Sequence, residues 1–268
     1  MLWQDITSKN FSSWVERSGG VCVLPIGVLE KHGNHLPVGA DMFAARAFCE
    51  RAAQLEPAVV FPYYFLGMIA EGRHHRGTIS GSHRLIMAAL LEMCDEIARN
   101  GFSKILIVSA HGGNTAFLPF FAQEAPRWER DYCVYTCSAW DRIHERREEI
   151  SRLSGNENLG AHAGLIETSL MMYLRPELVF PEEQDPAESV DLKRSEHLLD
   201  QGIYTGFDWY AKFPHDYAGD HAGSSAEIGE LICRACSESV AAKIRAVKED
   251  DITPELIREY RPLGRSPR

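Results

Sequence analysis

Short apolar runs alternate with amphipathic stretches along most of the chain. Buried strands are predicted at four runs bounded by turn residues, namely 21–27 (VCVLPIG), 58–65 (AVVFPYYF), 104–110 (KILIVSA) and 132–140 (YCVYTCSAW). Apolar positions at helical spacing predict helices at 41–55, 83–101, 115–125 and 164–174. Strands that alternate with helices favour a mostly parallel sheet covered on both faces, so we expect an α/β protein with three αβα layers.

The pattern weakens after about residue 175. Residues 175–225 are rich in proline, glycine, acidic and aromatic residues, which predicts long loops that cover a site or meet a neighbouring subunit. A closing helix is predicted at 226–250, followed by a tail that could pack against another chain. Since we find no repeat and no low-complexity linker, we expect residues 1–268 to form a single domain.

Composition and charge narrow the class of protein. The chain has 268 residues, of which 45% are hydrophobic and 25% charged, as is ordinary for a globular protein with a sizeable core. Its net charge of −10 argues against a nucleic-acid partner, because phosphate backbones attract clustered Lys and Arg. The basic stretch 142–147 is interrupted by Glu145 and predicts a solvated helix face.

Targeting signals are absent from the sequence pattern. The first residues, MLWQDITSKNF, lack the basic start and apolar core of a signal peptide, and no apolar run reaches the roughly 18 residues of a membrane span. Seven scattered cysteines, an odd number, suggest reduced thiols. Cys233 and Cys236 form a CxxC inside a predicted helix, where core packing is favoured over a redox or metal role. We therefore expect a cytoplasmic protein without a membrane partner.

Ligand-type side chains gather just after two predicted strands. Glu30 and His32 follow the first strand and, two residues apart in extended backbone, would point to the same side. His111 leaves a later strand directly into two glycines, and Asp41 stands at a predicted helix start. Ligands of parallel sheets bind beyond the carboxyl ends of the strands. Imidazole together with carboxylate suits zinc, manganese or iron, whereas calcium takes oxygen ligands alone.

Each of these residues also has a plain structural interpretation. A single histidine after a strand is typical of a hydrogen-bonded loop residue. Asp41 alone is typical of a helix cap, and HGGN (111–114) alone is typical of a tight turn. Their combination at strand ends favours a metal site.

The segment PIGVLEKHGNHLPVGAD (25–41) resembles the signature of the creatininase family of metal-dependent amidohydrolases, P-x-G-S-x-E-Q-H-G-x-H-L-P-x-x-x-D. Val28 replaces the serine of that signature, and Lys31 replaces the glutamine. Further family blocks are resembled, in order along the chain, by RGTISGS (76–82), RNGFSKILIVSAHGGNTAFL (99–118), AHAGLIETSLMMYLRPELV (161–179) and, more weakly, GDHAGSSAEIG (219–229).

The resemblance implies a creatininase-like fold and a site for divalent ions, two per subunit, which would be Zn, Mn or Fe. The implied metal ligands are Glu30, His32, Asp41 and His111, with Asp41 as the carboxylate that bridges both ions.

Two residues of the third block receive catalytic roles by the same resemblance. His162 would shuttle protons, and Glu167 would be a further metal ligand or a carboxylate just outside the ligands. An offset of five residues within one helix would turn the two side chains apart, so we expect His162 in the loop before the helix.

Departures from the family pattern concern the substrate. Gly112 and Gly113 stand where creatininase proper has an aromatic residue and a glutamate, so one metal site would lose a carboxylate, leaving Glu167, water or a vacancy in its place. The loop 67–80 also departs, with Ile69, Gly72, His75 and Arg76 in place of a serine, a histidine and Phe-Pro, which argues against creatinine itself as the substrate. The candidate substrate contacts are His35, Gly112, Gly113, Asn114, His74 and His75, although the last two equally suit a polar loop.

The function that the resemblance implies is hydrolysis of a non-peptide C–N bond in a small molecule. The bond would belong to a cyclic amide such as creatinine or a lactam, or to a formamide on a pterin or flavin precursor, and a hydroxide held between the two ions would attack it. Family resemblance also implies a homo-oligomer, in particular a hexamer. The alternatives are a peptidase that trims a small modified peptide, a non-catalytic metal-binding protein, and a phosphoesterase with Arg73 and Arg76 as its phosphate clamp.

Overall fold

Four parallel strands form the centre of the structure, a computed structural model that describes residues 1–265. The strands are β1 (Val21–Ile26), β2 (Val59–Val60), β3 (Lys104–Ser109) and β4 (Cys133–Ser138). They lie in the order β2-β1-β3-β4, and every neighbouring pair is parallel. The predicted parallel sheet is confirmed.

Helices connect and cover the strands. They are α1 (Phe11–Arg17), α2 (Ala40–Leu55), α3 (His83–Arg99), α4 (Asn114–Gln123), α5 (Arg147–Ser154), α6 (Leu165–Leu174), α7 (Glu196–Leu199), α8 (Asp208–Lys212), α9 (Ala226–Glu249) and α10 (Ile252–Arg265). Helix α3 begins where the Ser82 hydroxyl accepts a hydrogen bond from the Leu85 amide, and it ends just before Gly101, whose φ is +103°.

The sheet separates two hydrophobic clusters, because successive strand residues point to opposite faces. Val21 and Val23 of β1 belong to the cluster that includes buried side chains of α2, α6 and α9. Cys22 and Leu24 belong to the other cluster, together with buried side chains of α3 and α4. Burial on both faces explains why β1 and β3 are continuous apolar runs, and it confirms the three-layer αβα architecture.

The second strand is shorter than predicted. The prediction of a strand over 58–65 was wrong beyond Val60, because Pro62 has no amide hydrogen with which to extend the ladder. The chain returns to the sheet at Tyr64, whose carbonyl accepts a hydrogen bond of 3.1 Å from the Gly27 amide. This contact fixes the chain that leaves β1 toward Glu30.

The C-terminal third holds more regular structure than its sequence pattern indicates. Residues 175–225 contain the short helices α7 and α8 within the predicted loops. The tail forms α10, which packs on the same chain, and the Arg261 guanidinium donates to the Arg130 carbonyl at 2.7 Å. Cys233 and Cys236 are both buried in the core cluster, as predicted.

The predicted basic stretch lies on the surface, but only part of it is helical. Arg142, Arg146 and Arg147 are exposed, as a solvated basic stretch should be, although residues 143–146 form a 3₁₀ turn before α5. Within residues 1–265, no helix combines the length and the apolar character needed to cross a membrane.

Candidate metal centre

The carboxyl end of β1 and the first turn of α2 approach each other closely. A Cβ at Gly27 would lie 2.5 Å from the Met42 amide nitrogen, so only glycine lets α2 begin here. Asp41 thereby comes beside Glu30, in the first turn of a helix whose dipole favours a carboxylate. Gly39, and not Asp41, occupies the N-cap position of α2, so the interpretation of Asp41 as a helix cap does not hold.

The first group of ligand-type side chains consists of Glu30, Asp41 and His111. His111 Nδ1 lies 3.0 Å from Glu30 Oε2 and 2.9 Å from Asp41 Oδ2. All three residues are buried, and each offers one ligand atom within 4.8 Å of the other two. Their spacing would allow one cation to contact all three.

A second group consists of His32, Asp41 and Glu167. His32 Nε2 lies 3.3 Å from Asp41 Oδ1 and 3.9 Å from Glu167 Oε2. The two oxygens of the Asp41 carboxylate therefore face different histidines, Oδ1 toward His32 and Oδ2 toward His111. Asp41 is the residue that the two groups share.

Backbone carbonyls orient both histidines. His111 Nε2 donates to the Met68 carbonyl at 2.7 Å, and His32 Nδ1 donates to the Glu30 carbonyl at 3.1 Å. Because a carbonyl can only accept, the opposite ring nitrogens, Nδ1 of His111 and Nε2 of His32, face the carboxylates and are the atoms whose lone pairs a neutral ring would offer to an ion. This arrangement is typical of metal-binding histidines.

Several buried polar atoms of the two groups have no hydrogen-bond partner among residues 1–265, namely Glu30 Oε2, His32 Nε2 and Asp41 Oδ2. Burying such atoms without a partner is costly, and native proteins rarely do so. Nitrogen and carboxylate oxygen donors are the ligand types that zinc, manganese and iron accept. The residues present therefore fit divalent ions.

The pKa values of His32 and His111 reflect the carboxylates that surround them. Burial alone would lower the pKa of His32, but the carboxylates of Asp41, Glu167 and Glu30 outweigh burial and raise it to about 10. Burial is likewise outweighed at His111, where Glu30 and Asp41 raise the pKa well above its usual value. The cluster thus attracts positive charge, which protons supply when no metal ion is bound.

His162 lies in the loop before α6, as predicted. It pairs with Ala218 in a short antiparallel bridge, and its Nε2 donates to the Lys31 carbonyl at 2.9 Å. Its Nδ1 is therefore the nitrogen with a free lone pair, and it lies 4.0 Å from Glu167 Oε2. The ring centroids of His162 and His32 are 4.2 Å apart.

A pocket of about 510 Å³ opens over these side chains. Besides Glu30, Asp41, His111, His162 and Glu167, its lining includes two of the predicted substrate contacts, Gly112 and Gly113. Glu71 comes from the loop 67–80, which departs from the family pattern. The lining also includes apolar and aromatic side chains, namely Trp140, Ile143, Ile166, Tyr204 and Trp209.

Four other predicted substrate contacts do not line this pocket. His35 is fully buried, and its Nε2 bonds to the Thr168 hydroxyl at 2.9 Å. The side chain of Asn114 is also buried, accepting from the Met68 amide and donating to the Ser109 hydroxyl. His74 and His75 pack against each other with ring centroids 3.8 Å apart, so the polar-loop interpretation describes them better.

The backbone explains why position 113 is glycine. A Cβ there would lie 2.5 Å from both the Met68 carbonyl oxygen and His111 Nε2, whereas a Cβ at Gly112 would meet nothing within 4 Å. A glutamate at 113 therefore does not fit this backbone. Glu167 does not take its place in the first group, because it lies beside His32 in the second.

Sequence reasoning missed two residues beside His162. Trp209 of α8 meets the His162 ring edge to face at 5.6 Å, and its indole nitrogen donates to Asp216 Oδ1 at 2.6 Å. Asp216 Oδ1 lies 3.9 Å from His162 Nε2. The aromatic, glycine-rich composition of 203–217 marks the segment as unusual, but no periodicity indicates which side chains face the site.

Comparison with known proteins gives concordant matches. The family model for creatininase, described as creatinine amidohydrolase, matches residues 4–244. Creatinine amidohydrolase of Pseudomonas putida is 30% identical over 262 residues, which cover 90% of this chain and 95% of that protein. A mycofactocin precursor peptide peptidase of Mycolicibacterium smegmatis is 29% identical, covering 66% of this chain and 65% of the peptidase.

A third relative is a deformylase. The 2-amino-5-formylamino-6-ribosylaminopyrimidin-4(3H)-one 5′-monophosphate deformylase of Methanococcus maripaludis is 22% identical over 200 residues, which cover 70% of this chain and 83% of that enzyme.

Solved creatininase structures share the fold. A manganese form matches with a TM-score of 0.73 and a variant of Zn–Zn type with 0.72; both are 25% identical, and each match covers 93% of this chain. These matches cover 99% and 98% of the respective creatininase chains. Since the family match spans nearly the whole chain and the fold agrees, this protein is a member of the creatininase family of amidohydrolases.

Proposed function

We propose that the chain is a metal-dependent hydrolase that uses two divalent ions to cleave a non-peptide C–N bond, in a cyclic amide or a formamide. The observation that carries this proposal is the pair of three-residue groups that share Asp41. Glu30, Asp41 and His111 would hold one ion, and His32, Asp41 and Glu167 the other. Zinc and manganese are the first candidates, since solved relatives are described with them.

Bound divalent ions would supply two effects, lowering the pKa of a water molecule from 15.7 toward about 7 and polarising the carbonyl of the substrate. The protein's own contribution is to fix where the ions and the substrate lie. The carbonyls of Met68 and Glu30 hold the two histidines with their free nitrogens inward. Asp41 Oδ1 and Oδ2 keep the two positions adjacent.

His162 is proposed to carry the proton. Because Nε2 is occupied by the Lys31 carbonyl, Nδ1 is the atom that would accept a proton and deliver it to the leaving nitrogen. An amine leaves readily only when it is protonated, so this step is required for C–N cleavage. The position of Nδ1 supports the role, since it lies 4.0 Å from Glu167 Oε2 and thus borders the second group.

A peptidase that trims a small modified peptide is the second candidate. It is favoured by the pocket volume of about 510 Å³, which leaves room for a ligand larger than a small cyclic amide. A phosphoesterase is disfavoured, because no Arg or Lys of residues 1–265 lines the pocket and Arg73 and Arg76 lie outside its lining. A non-catalytic protein is disfavoured because the four implied ligands, Glu30, His32, Asp41 and His111, all belong to the two groups.

We further propose a single domain over 1–268 and a homo-oligomer. The exposure of two aromatic residues supports the second point, since Tyr204 is 78% and Phe207 74% exposed. Light scattering tests the oligomer: a monomer would remove that proposal and leave the chemistry untouched.

The test of the proposed function is a substrate panel with metal analysis. The metal-loaded protein is offered creatinine, lactams, aryl formamides, short modified peptides and phosphate esters. We expect turnover on non-peptide amides that chelation abolishes and zinc or manganese restores. Stoichiometric metal without turnover on any C–N substrate would favour the non-catalytic alternative and contradict the proposal.

A further inference from the structure

Both tryptophans of the pocket use their single donor group inside the protein. Trp140 Nε1 donates to the Ala110 carbonyl at 2.6 Å, and Trp209 Nε1 donates to Asp216 Oδ1 at 2.6 Å. A tryptophan has no other hydrogen-bonding atom in its side chain. What these residues can offer a ligand is therefore ring surface alone.

Neighbouring aromatic rings hold the two indoles in place. Phe48 packs edge to face on Trp140 with centroids 5.1 Å apart. Trp209 is packed against Phe213 at 5.1 Å and against His162 at 5.6 Å. A ring that is held in position before a ligand arrives loses little freedom on binding, which favours stacking with another flat ring.

Apart from the residues of the two metal groups and His162, the charged residues of the pocket lining are acidic. Of the residues 1–265, these are Glu71 and Asp208, and no Arg or Lys belongs to the lining. The Asp208 carboxylate is paired, with Lys212 Nζ at 3.0 Å and the Ser195 hydroxyl at 2.6 Å. Among the described residues Glu71 has no such cationic partner, so its carboxylate would repel an anionic ligand in the pocket.

From these observations we infer the class of substrate, an inference that rests on the proposed function for the position of the scissile bond. The part of the substrate that contacts Trp209 is a flat ring that carries no negative charge. Trp209 selects the ring and Glu71 excludes anions. The pocket therefore differs in chemistry from one that accepts a 5′-monophosphate, as the name of the archaeal deformylase relative implies for that enzyme.

The pocket volume agrees with this class. At about 510 Å³ it lies within the range of small-molecule sites, which is about 300–1,000 Å³. A ring system would thus fit in the pocket beside the metal groups.

The test uses hydroxamates that differ only in their tail. The hydroxamate group chelates metal ions, and none of these compounds belongs to the substrate panel that tests the proposed function. Calorimetry gives the dissociation constants of the metal-loaded protein for benzohydroxamic, cyclohexanecarbohydroxamic and 4-carboxybenzohydroxamic acid. We expect the benzene tail to bind about 3- to 10-fold more tightly than cyclohexane, as aromatic stacking predicts. The carboxylate should weaken binding about tenfold.

Matched variants assign these preferences to residues. Trp209→Ala should remove the preference for the flat ring, and Trp209→Phe should retain part of it. Phe207→Ala is the control, because Phe207 belongs to the same segment but does not line the pocket. Glu71→Gln should reduce the discrimination against the carboxylate. Metal content is measured for every variant.

The outcomes separate this inference from the proposed function. Equal affinity for the three tails, or a ring preference that Trp209→Ala leaves unchanged, would overturn the inference even if amides are hydrolysed. Failure of all three hydroxamates to bind metal-loaded protein would overturn it as well. Ring preference and anion exclusion without turnover on any C–N substrate would support the inference and contradict the proposed function.

Discussion

The two groups of ligand-type residues differ in how they are built. Glu30, Asp41 and His111 all come from the ends of strands and the first turn of α2, and their side chains are at most 5% exposed. The second group needs Glu167 from the distant helix α6, and that side chain is 18% exposed. Glu167 also lies 4.0 Å from the free nitrogen of His162.

This difference suggests a division of work. The first group is closed by the Met68 carbonyl and by the glycine at 113, so we propose that it retains an ion. The second group borders His162, the proposed proton carrier, so we propose that it couples an ion to proton transfer. Substitutions in different parts of the site should therefore differ in their effects on metal content, turnover and stability. The parts are the shared Asp41, the proposed proton carrier His162, the carboxylate that belongs to one group only, and the surrounding backbone.

The largest effect is expected at the shared carboxylate. Asp41→Ala should lose both ions and all metal-dependent turnover, because each oxygen of Asp41 faces one group. Metal affinity should fall by more than roughly 100-fold, since even partners outside the ligand shell are worth 10- to 100-fold. Elemental analysis measures this, with circular dichroism as the control for folding. Full metal content in the variant would count against a bridging role.

The proton carrier should separate metal binding from turnover. His162→Ala is expected to keep both ions but to lose about 10²- to 10⁴-fold in kcat, the usual worth of general acid–base catalysis. In His162→Gln, the side-chain amide can still donate to the Lys31 carbonyl but cannot carry a proton, so it should be equally slow. Kinetic assays and elemental analysis of the same samples measure turnover and metal content together. Wild-type turnover in either variant would remove His162 from the mechanism.

Replacing a carboxylate that belongs to only one group should remove one ion. Glu30→Gln is expected to keep the ion of the second group, and Glu167→Gln the ion of the first, because the two residues belong to different groups. After dialysis each variant should contain about one ion per chain. Anomalous scattering from crystals of both would show which position remains filled. Two ions, or none, in both variants would contradict the division.

The metal-free protein should lose stability as pH rises. The pKa of His32 is about 10 in the folded chain, above its usual value of 6.5, so protonated His32 stabilises the fold below pH 6.5. That contribution is lost as pH rises toward 10, and the raised pKa of His111 acts in the same direction. Tm measured with a chelator should therefore fall between pH 6.5 and 9. In metal-loaded protein the ions replace the protons, so the fall should be smaller; identical profiles would argue against the site.

The smallest effect is expected at the backbone beside His111. Gly113→Ala places a Cβ against the Met68 carbonyl, and we expect a loss of about 1–3 kcal/mol with weaker metal binding, as in other overpacked sites. Gly112→Ala is the matched control, because a Cβ there meets nothing within 4 Å. Denaturant unfolding of both variants measures the difference. Equal stability of the two variants would show that the Met68 segment shifts to accommodate the added Cβ, and it would contradict this prediction.

The sequence predicted the strand-end part of the site for a physical reason. Parallel strands place their carboxyl ends at one edge, so Glu30, His32 and His111 had to approach one another once β1 and β3 were recognised as neighbours in the sheet. Family resemblance then added His162 and Glu167, and the loop position of His162 followed from helix geometry. The ligand roles of these residues stay predictions until a metal is measured.

The positions of groups in the irregular segments could not be predicted from the sequence. The direction in which Trp209 points depends on its bond to Asp216 and on the packing of Phe213, neither of which has a signature in the sequence. The same holds for the Met68 carbonyl, whose position beside His111 explains Gly113 only when the backbone is known. His35, a predicted substrate contact, is buried outside the pocket lining, and the motif does not encode that burial.

Anomalous diffraction from a crystal grown with zinc or manganese tests the central claim most directly. The account predicts two peaks, one beside each oxygen of the Asp41 carboxylate, with His111 and Glu30 at the first and His32 and Glu167 at the second. A single peak away from Asp41, or no peak in metal-saturated crystals, would contradict it.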